Sequence, residues 1–215
     1  MKRVYILCEG QTEESFVNEI LYPYFENLSI YIKPIVHSSR KTISKKDKGG
    51  VTSYNKIKND LNKLCKEHKN EIVTTMFDYY GMPDDTPMIS CNELDIYKRI
   101  EIIEKAINDD IGELNCFFNF MLHEFEGILF SNPDSFSSVV DDKTVAKIKK
   151  IKDEAKSPEH INNSSDTAPS KRLENLLPNY AKVKNGTLIS KDIGIDRIMQ
   201  ECKHFSSWIE KIKTK

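Results

Sequence analysis

Three acidic residues stand directly after apolar segments of the sequence, at places where a strand would end. Glu9 follows VYILC, Asp78 follows EIVTTMF, and Glu124 follows CFFNFML with one histidine between. A fourth acid, Glu126, comes two residues after Glu124. Carboxylate oxygens are the ligands that Mg²⁺ takes in proteins, together with waters and substrate phosphates. If the segments lie side by side, their acids form one oxygen-rich site suited to phosphate chemistry.

Each of these acids also has a plainer explanation. Loops are polar, so a single acid after a strand can be a solvated loop residue, and only the set of three argues against that reading. Glu13 lies on the first turn of a predicted helix, where an acid interacts favourably with the helix dipole; it could equally serve catalysis or a metal. His123 could move a proton, because its unperturbed pKa lies near neutrality, or be a packed, hydrogen-bonded histidine.

Strands and helices alternate along the first half of the chain. Continuous apolar segments predict strands buried on both faces, and apolar residues spaced by three and four predict helices between them. The predicted strands are Val4–Cys8, Ser29–His37, Glu71–Phe77 and Cys116–Leu122. One helix is predicted to begin at Thr12, and two others are predicted at Tyr54–His68 and Leu94–Asn108. This order predicts an α/β fold with a mostly parallel sheet flanked by helices. Because ligands bind at the carboxyl ends of such strands, the acids are expected to converge.

The rest of the chain has a polar, helical pattern. We predict a first domain at 1–132 and a helical C-terminal extension at 133–215 packed on the same domain. Helices are expected at 171–177 and 193–212, with a loop at 157–170.

Three residues have a predicted structural task. Thr12 and Ser170 are the expected N-caps, since a hydroxyl oxygen can accept a hydrogen bond from a free N–H group of the first turn. Pro34 places the second strand at an edge of the sheet or at a bend, because proline cannot donate to a strand ladder.

Basic residues could contact substrate phosphates at two places. Lys171 and Arg172 occur in PSKRL, and arginine makes bidentate contacts to phosphate. The stretch at 38–50 could steer a polyanion; its basic residues are Arg40, Lys41, Lys45, Lys46 and Lys48. Both sets are also explained as solvated surface residues. The net charge of -1 neither demands nor excludes nucleic acid as a partner.

The composition excludes several classes of protein. The chain has 215 residues, 39% of them hydrophobic and 30% charged, which is enough for a sizeable core. No apolar run approaches the roughly 20 residues that cross a membrane, and the N-terminal run is too short for a signal peptide, so a cytoplasmic protein is expected. The five scattered cysteines fit free thiols better than disulfides or a zinc site. The sequence has no glycine-rich phosphate loop, which argues against an intrinsic ATPase.

Taken in order, five segments resemble the Toprim-like family of small bacterial proteins, formerly of unknown function and often encoded beside ATPases in defence islands. The segments are EGQTE, FDYYGMP, HEFEGILF, PSKRL and HFSSWI. The resemblance implies a Toprim-like, Rossmann-like sheet and Mg²⁺ or Mn²⁺ as cofactor. It implies proton transfer or metal binding for Glu9, and matches Asp78 to the first acid of the family's DxD pair. Tyr80 stands where the second acid is expected, so a further ligand would come from Glu124, Glu126 or Asp84.

We therefore expect a Mg²⁺-dependent nuclease, or a related phosphodiester-processing enzyme of bacterial anti-phage defence, acting on DNA or RNA. The candidate residues are Glu9, Glu13 and His123 for catalysis, Glu9, Asp78, Glu124 and Glu126 for metal, and Lys171 and Arg172 for substrate phosphate. A partner ATPase and a homodimer belong to the same expectation, and a membrane does not. The alternative is a non-catalytic binding or regulatory module partnered with an ATPase, which Tyr80 supports. A small-molecule phosphate-processing enzyme would also fit the acids, but it leaves the basic stretch unused.

Overall fold

A parallel sheet of five strands forms the centre of the protein, in a computed structural model that describes residues 2–37, 53–161 and 167–215. The strand order is β2-β1-β3-β4, and β5 pairs with β3. The strands are β1 Lys2–Cys8, β2 Ile30–Val36, β3 Ile72–Asp78, β4 Cys116–Phe117 and β5 Phe120–Met121. The predicted α/β fold with a mostly parallel sheet is confirmed. The basic stretch at 38–50, which was predicted to steer a polyanion, lies outside the described residues.

The strands end level with one another at their carboxyl ends. Cys8, the last residue of β1, lies opposite Val36 of β2 and Met76 of β3. Asp78, the last residue of β3, lies opposite Met121 of β5. Residues that follow these ends therefore meet at one edge, which we call the carboxyl edge. Pro34 lies in β2, which pairs with β1 alone among the described strands, as predicted for a proline at an edge.

Helices cover both faces of the sheet. On one face, α1 Gln11–Phe16 continues through a π turn at Val17–Leu21 into α2 Tyr22–Glu26. On the other face lie α3 Tyr54–Glu67 and α4 Ile96–Ile111. Alternate residues of β1 enter the two cores: Val4 and Ile6 pack with α1, whereas Tyr5 and Leu7 pack with α3 and α4. The sheet is thus buried on both sides, which is why its strands are continuously apolar.

Helices from the last third of the chain complete the first of these cores. They are α5 Asp142–Asp153, α6 Pro169–Leu176, α7 Lys182–Ile193, α8 Ile195–Glu201 and α9 Lys203–Thr214. Ile189, Phe205 and Trp208 pack in the same cluster as Phe16 and Phe125. The Trp208 indole N–H also donates to Thr74 Oγ1 at 3.0 Å, which fastens α9 to β3. The domain boundary at residue 132 stays a prediction.

Free thiols were expected for the cysteines, and no membrane-spanning segment was expected. All five cysteines are free thiols, and four of them are buried. Within the described residues, no helix combines the length and the apolarity that a bilayer crossing requires.

The prediction of one continuous strand over Cys116–Leu122 is wrong, because the strand is interrupted between β4 and β5. Thr75 Oγ1 donates to the carbonyl of Asn119 and accepts from its N–H, both at 2.8 Å. Beside it, the side chains of Asn108 and Glu104 accept the N–H groups of the flanking residues at 2.7 and 2.8 Å. Side chains therefore satisfy backbone groups that a regular ladder would otherwise pair.

Both predicted hydroxyl caps are also wrong. The helix α1 begins after Gly10, and the Glu13 carboxylate, not Thr12, accepts the Gly10 N–H at 2.8 Å. The helix α6 begins at Pro169, so Ser170 lies inside its first turn, and the Ser170 N–H donates to Glu124 Oε2 at 2.9 Å. At both helix starts an acid from the carboxyl edge accepts the N–H group.

The C-terminal helices also differ from the prediction. The helix α7 was not predicted, because its sequence is polar and contains Gly186, which lowers helix propensity. A Cβ at Gly186 would lie 3.2 Å from a ring carbon of Phe125, so close packing explains the glycine. The helix predicted at 193–212 is interrupted at Cys202, whose extended backbone separates α8 from α9.

Candidate metal and catalytic site

Five acidic side chains gather at the carboxyl edge of the sheet. They come from the end of β1, from α1, from the end of β3 and from the segment after β5, and they are Glu9, Glu13, Asp78, Glu124 and Glu126. Burial raises the pKa of Asp78 well above its usual value, and the negative charges of the other four raise it further. The structure therefore brings together the five acids that the sequence assigned to catalysis or metal; Asp84, the alternative ligand, is an exposed residue in a turn after β3.

Glu9 is held by the strand beside it. Its backbone N–H donates to the carbonyl of Met76 at 3.1 Å, and its Oε2 accepts the N–H of Asp78 at 3.1 Å. Burial raises the pKa of Glu9; the Asp78 N–H and Lys182 oppose this, and Glu124 and Glu126 add to it. Its carboxyl group thus takes up a proton more readily than an exposed glutamate does.

Asp78 joins two chain segments of the site. Its Oδ1 accepts the N–H of Phe125 at 2.7 Å, which ties the end of β3 to the segment after β5. The next residue but one, Tyr80, donates its N–H to the carbonyl of His123 at 3.0 Å. These two bonds fix Asp78 beside Glu124 and Glu126.

Glu13 is buried on the first turn of α1, with 6% of its surface exposed. Burial raises its pKa from 4.5 to about 7, and the charge of Glu9 contributes to this increase, against the bonds from backbone N–H groups. Glu13 therefore changes its protonation near neutral pH, which is the property of a general acid or base.

One lysine lies among these acids. The Lys182 ammonium is 3.0 Å from Oε1 of Glu126, whose residue is only 1% exposed. Burial works against the charged lysine, but Glu126, then Glu124 and Asp78, raise its pKa overall. Burial raises the pKa of Glu126 in spite of this ion pair. The site thus has four more acidic groups than cations among the residues named here.

Sequence reasoning missed Lys182 and also Tyr180. The Tyr180 hydroxyl is buried and has no hydrogen-bond partner within the described residues. Burial raises the pKa of Tyr180, and the charges of Glu126, Glu174 and Glu124 raise it further. Neither residue belongs to a recognisable motif; the packing of α7 brings Lys182 to the site, and Tyr180 lies two residues before this helix.

His123 directly precedes Glu124 in the sequence, and its ring lies near that of Tyr79. The ring centre is 6.5 Å from that of Tyr79. Burial lowers the pKa of His123 to about 4, and the charges that add to this are those of His160 and Arg99. Its backbone has φ +64°, a left-handed conformation that is uncommon for a residue with a side chain. The assignment of His123 to catalysis stays a prediction.

Lys171 and Arg172, the two residues predicted to contact phosphate, bond to other groups in or just before α6. Lys171 forms an ion pair with Glu174 at 2.6 Å, and Arg172 Nε donates to the carbonyl of Thr167 at 2.8 Å. Lys182 is the cation that the structure places at the acids instead. The assignment of Lys171 and Arg172 to substrate phosphate stays a prediction.

The donor chemistry of the site fits a hard divalent cation. Its donors are five carboxylates with Lys182 as their near cation, and burial raises the pKa of Asp78 and of Glu126. Within the described residues, however, no group of three acids, histidines or cysteines is arranged around one point as ligands. A cation bound there would therefore have fewer than three protein ligands, unless some of the acidic side chains changed their rotamers.

The profile of one protein family matches residues 8–213, and its description is "Domain of unknown function (DUF4276)". The chain belongs to this family. The match extends from the end of β1 to α9, so the acids of the carboxyl edge and the helix that carries Lys182 lie within one DUF4276 unit. No curated protein matches the chain.

Two solved structures have a similar path of the chain. Both are of the C-terminal region of the OLD protein of Xanthomonas campestris pv. campestris, phased with iodine and with platinum. The first is 17% identical with a TM-score of 0.42, over 98% of this chain and 97% of that chain. The second is 16% identical with a TM-score of 0.40, over 97% and 94%. Similarity of this size carries no inference about the chemistry of the DUF4276 protein.

Proposed function

We propose that this DUF4276 protein is a Toprim-like, Mg²⁺-dependent nuclease, or a related phosphodiester-processing enzyme, of bacterial anti-phage defence. The observation that carries the proposal is the gathering of five acids at the carboxyl edge, with Lys182 as their near cation. Buried like charges raise one another's pKa and destabilise the fold, so their convergence indicates a function. The assignment to defence rests on the resemblance of the EGQTE and HEFEGILF segments to the Toprim-like family.

Asp78, Glu124 and Glu126 would hold the cation in this proposal. A divalent cation bound there would polarise a substrate phosphate and lower the pKa of an attacking water. The bond from the Phe125 N–H fixes one oxygen of Asp78. Mn²⁺ would serve as well as Mg²⁺, because both are octahedral cations that prefer oxygen ligands.

Glu9 and Glu13 would handle protons. One oxygen of Glu9 accepts the Asp78 N–H, while Oε1 faces Gly81, where a Cβ would lie 3.7 Å from it. With its pKa of about 7, Glu13 can accept or supply a proton at physiological pH. The proposal gives the His123 side chain no part in proton transfer, because burial lowers its pKa to about 4 and leaves it neutral at physiological pH.

Lys182 would bind the substrate phosphate. Its ammonium group already contacts a buried acid of the site, and an arriving phosphate offers a second negative partner. Lys171 and Arg172 stay predicted phosphate contacts, although their groups bond to Glu174 and Thr167 in this structure.

The test is a cleavage assay with the full-length protein. Plasmid DNA, single-stranded DNA and transfer RNA are incubated with Mg²⁺, with Mn²⁺ and with EDTA. We expect cleavage only with a divalent cation, and a loss of roughly 100-fold or more in Asp78→Asn and in Glu9→Gln, since each removes a charge while keeping the shape. Glu67→Gln is the matched control, because Glu67 is an exposed acid at the far end of α3.

Two results would contradict the proposal. Cleavage that continues in EDTA would exclude the cation, and cleavage that Asp78→Asn and Glu9→Gln both retain would exclude the acids. Folding of each variant is checked by circular dichroism, so that loss of activity is not confused with loss of structure.

A second candidate is a non-catalytic binding or regulatory module partnered with an ATPase. Two observations favour it: Tyr80 occupies the position of the second DxD acid, and the described residues contain no ready group of three ligands. Absence of cleavage on every substrate, also after addition of an ATPase encoded beside this protein, would favour the module over the nuclease.

A further inference from the structure

A strip of basic side chains lies beside the acids of the carboxyl edge. Arg99 comes from the first turn of α4, Lys156 and His160 from the segment after α5, and Lys203 from the start of α9. These four residues are called the basic strip. Three distant parts of the sequence supply it, so only the folded chain brings them together.

Tyr97 connects the members of the basic strip. The Lys203 ammonium lies 5.4 Å from the centre of its ring, and the His160 ring centre lies 5.2 Å away. The Tyr97 hydroxyl donates to the buried Glu159 at 2.9 Å, which fixes the ring in place. The starts of α4 and α9 and the segment of His160 therefore form one surface.

His123 joins the basic strip to the acidic site. Its ring is affected by the charges of His160 and Arg99, and its backbone is bonded to Glu124 and accepts the Tyr80 N–H. After burial, Lys156 is the group that most lowers the pKa of His160, so Lys156 also lies close to it. The segment that carries His160 also packs beside the acids, because a Cβ at Gly127, one residue after Glu126, would lie 3.6 Å from the carbonyl of Pro158.

The acids of this surface are already engaged by backbone groups. Glu159 accepts the N–H groups of His204 and Phe205 at 3.0 and 2.9 Å, and Asp95 accepts two N–H groups at the start of α4. Lys156 and Lys203 are exposed, and neither forms an ion pair within the described residues. Carboxylates that accept N–H groups keep their charge, but no ion pair within the described residues holds the ammonium groups of Lys156 and Lys203, so both can contact an external anion.

An exposed aromatic ring stands where this surface meets the acids. Tyr80 follows Asp78 by two residues and has 48% of its surface exposed. Exposed aromatic rings beside a positive groove stack on bases of single-stranded nucleic acids, whereas the bases of a duplex stack on each other.

We propose that the basic strip binds the phosphate backbone of a single-stranded nucleic acid and that Tyr80 stacks on a base next to the acidic site. The proposal rests on the proposed function and names its substrate class. It uses residues other than the stretch at 38–50, Lys171 and Arg172. The strand would pass over Lys203, Lys156 and His160 toward the acids.

The experiment measures binding without cleavage. Full-length protein is titrated in EDTA against a fluorescent oligothymidylate of about 20 nucleotides, at NaCl concentrations from about 50 to 200 mM. We expect Lys156→Glu combined with Lys203→Glu to weaken binding about tenfold or more and to reduce the salt dependence, since each phosphate contact contributes about 0.7 to its slope. Tyr80→Ala should weaken binding about fivefold or more, and Tyr80→Phe should not.

The control is a basic surface at the opposite end of the strands. A groove of about 600 Å³ there is lined by Lys66, Lys69 and Lys215 together with two acids, Glu71 and Glu113. Lys66→Glu combined with Lys69→Glu makes the same change of charge and should alter affinity less than about twofold. An equal loss in this control would overturn the proposal, because it would show that charge alone matters.

Other outcomes separate this proposal from the nuclease. Equal affinity for a duplex of the same length, with no effect of Tyr80→Ala, would overturn the single-stranded assignment. Binding that follows the expected pattern, together with no cleavage under any cation, would support the basic strip and contradict the nuclease. Cleavage that the two strip substitutions leave unchanged would support the nuclease and contradict the strip.

Discussion

The acids of the carboxyl edge show how far single residues can be placed from sequence. Glu9, Asp78 and Glu124 were predicted to converge because each follows a strand, and the level ends of parallel strands bring them together. Lys182 could not be found in this way, since its position depends on how α7 packs against Phe125. A counter-ion supplied by a helix has no fixed spacing from the acids it neutralises.

Glu13 should make the stability of the metal-free protein depend on pH. Its folded pKa of about 7 exceeds the usual 4.5, so the folded state holds a proton that the unfolded state has released. Stability therefore falls as the pH rises from about 4.5 to 7, by roughly 3 kcal/mol at most for this group. The raised pKa values of Glu9, Asp78 and Glu126 act in the same direction.

Thermal unfolding in EDTA, followed from about pH 5 to 8, measures this effect. We expect the melting temperature to fall with pH in the unmodified protein, and to fall clearly less in Glu13→Gln. Glu14→Gln, one residue further along α1, is the control and should keep the full slope. A slope that Glu13→Gln leaves unchanged would show that Glu13 does not carry this proton.

At position 123, a glycine substitution should leave the protein more stable than an alanine substitution. Both substitutions remove the buried ring, so they differ mainly in the backbone, whose φ of +64° favours a residue without Cβ. We expect His123→Gly to be more stable than His123→Ala by about 1 kcal/mol in urea unfolding, the reverse of the usual order in a helix. At the exposed helical residue Lys147 of α5, the same pair should show the usual order, with alanine more stable. Alanine more stable than glycine at both positions would contradict the argument.

At the scale of elements, the long apolar patterns were reliable and the local hydrogen bonds were not. The strands β1 and β3 and the helices α3 and α4 were predicted within a few residues, because both sheet faces are covered and the apolar spacing is regular. The predicted fourth strand is interrupted because Thr75, Asn108 and Glu104 bond its backbone. These partners lie up to 44 residues away in sequence, beyond the reach of a local pattern.

Helix starts show the same limit. Hydroxyl residues were expected to cap α1 and α6, but Glu13 and Glu124 accept the N–H groups there. Glu13 and Glu124 are therefore also structural acceptors, as Glu9 and Asp78 are at the strand ends. Replacing either by alanine would change the helix start as well as the charge of the site, which is why amide substitutions are the informative ones.

At the scale of the whole molecule, the two ends of the chain share one core. Residues of β1 and α1 pack in the same cluster as residues of α7 and α9. The acidic site is built in the same way, since Asp78 precedes and Lys182 follows the predicted boundary at residue 132. The site would thus lose its cation if the C-terminal part detached, even with the sheet intact.

Trp208 provides a test of whether the C-terminal helices and the sheet unfold together. It is the single tryptophan of the chain, is 2% exposed, and its indole N–H donates to Thr74 Oγ1 in β3. If α9 and the sheet unfold together, the urea transition of tryptophan fluorescence should coincide with the transition of far-UV circular dichroism. Trp208→Phe, followed by circular dichroism alone, shows whether the residue itself changes the transition. A fluorescence change at distinctly lower urea than the main dichroism change would show that the C-terminal helices detach first, and that residues 133–215 behave as a separate unit.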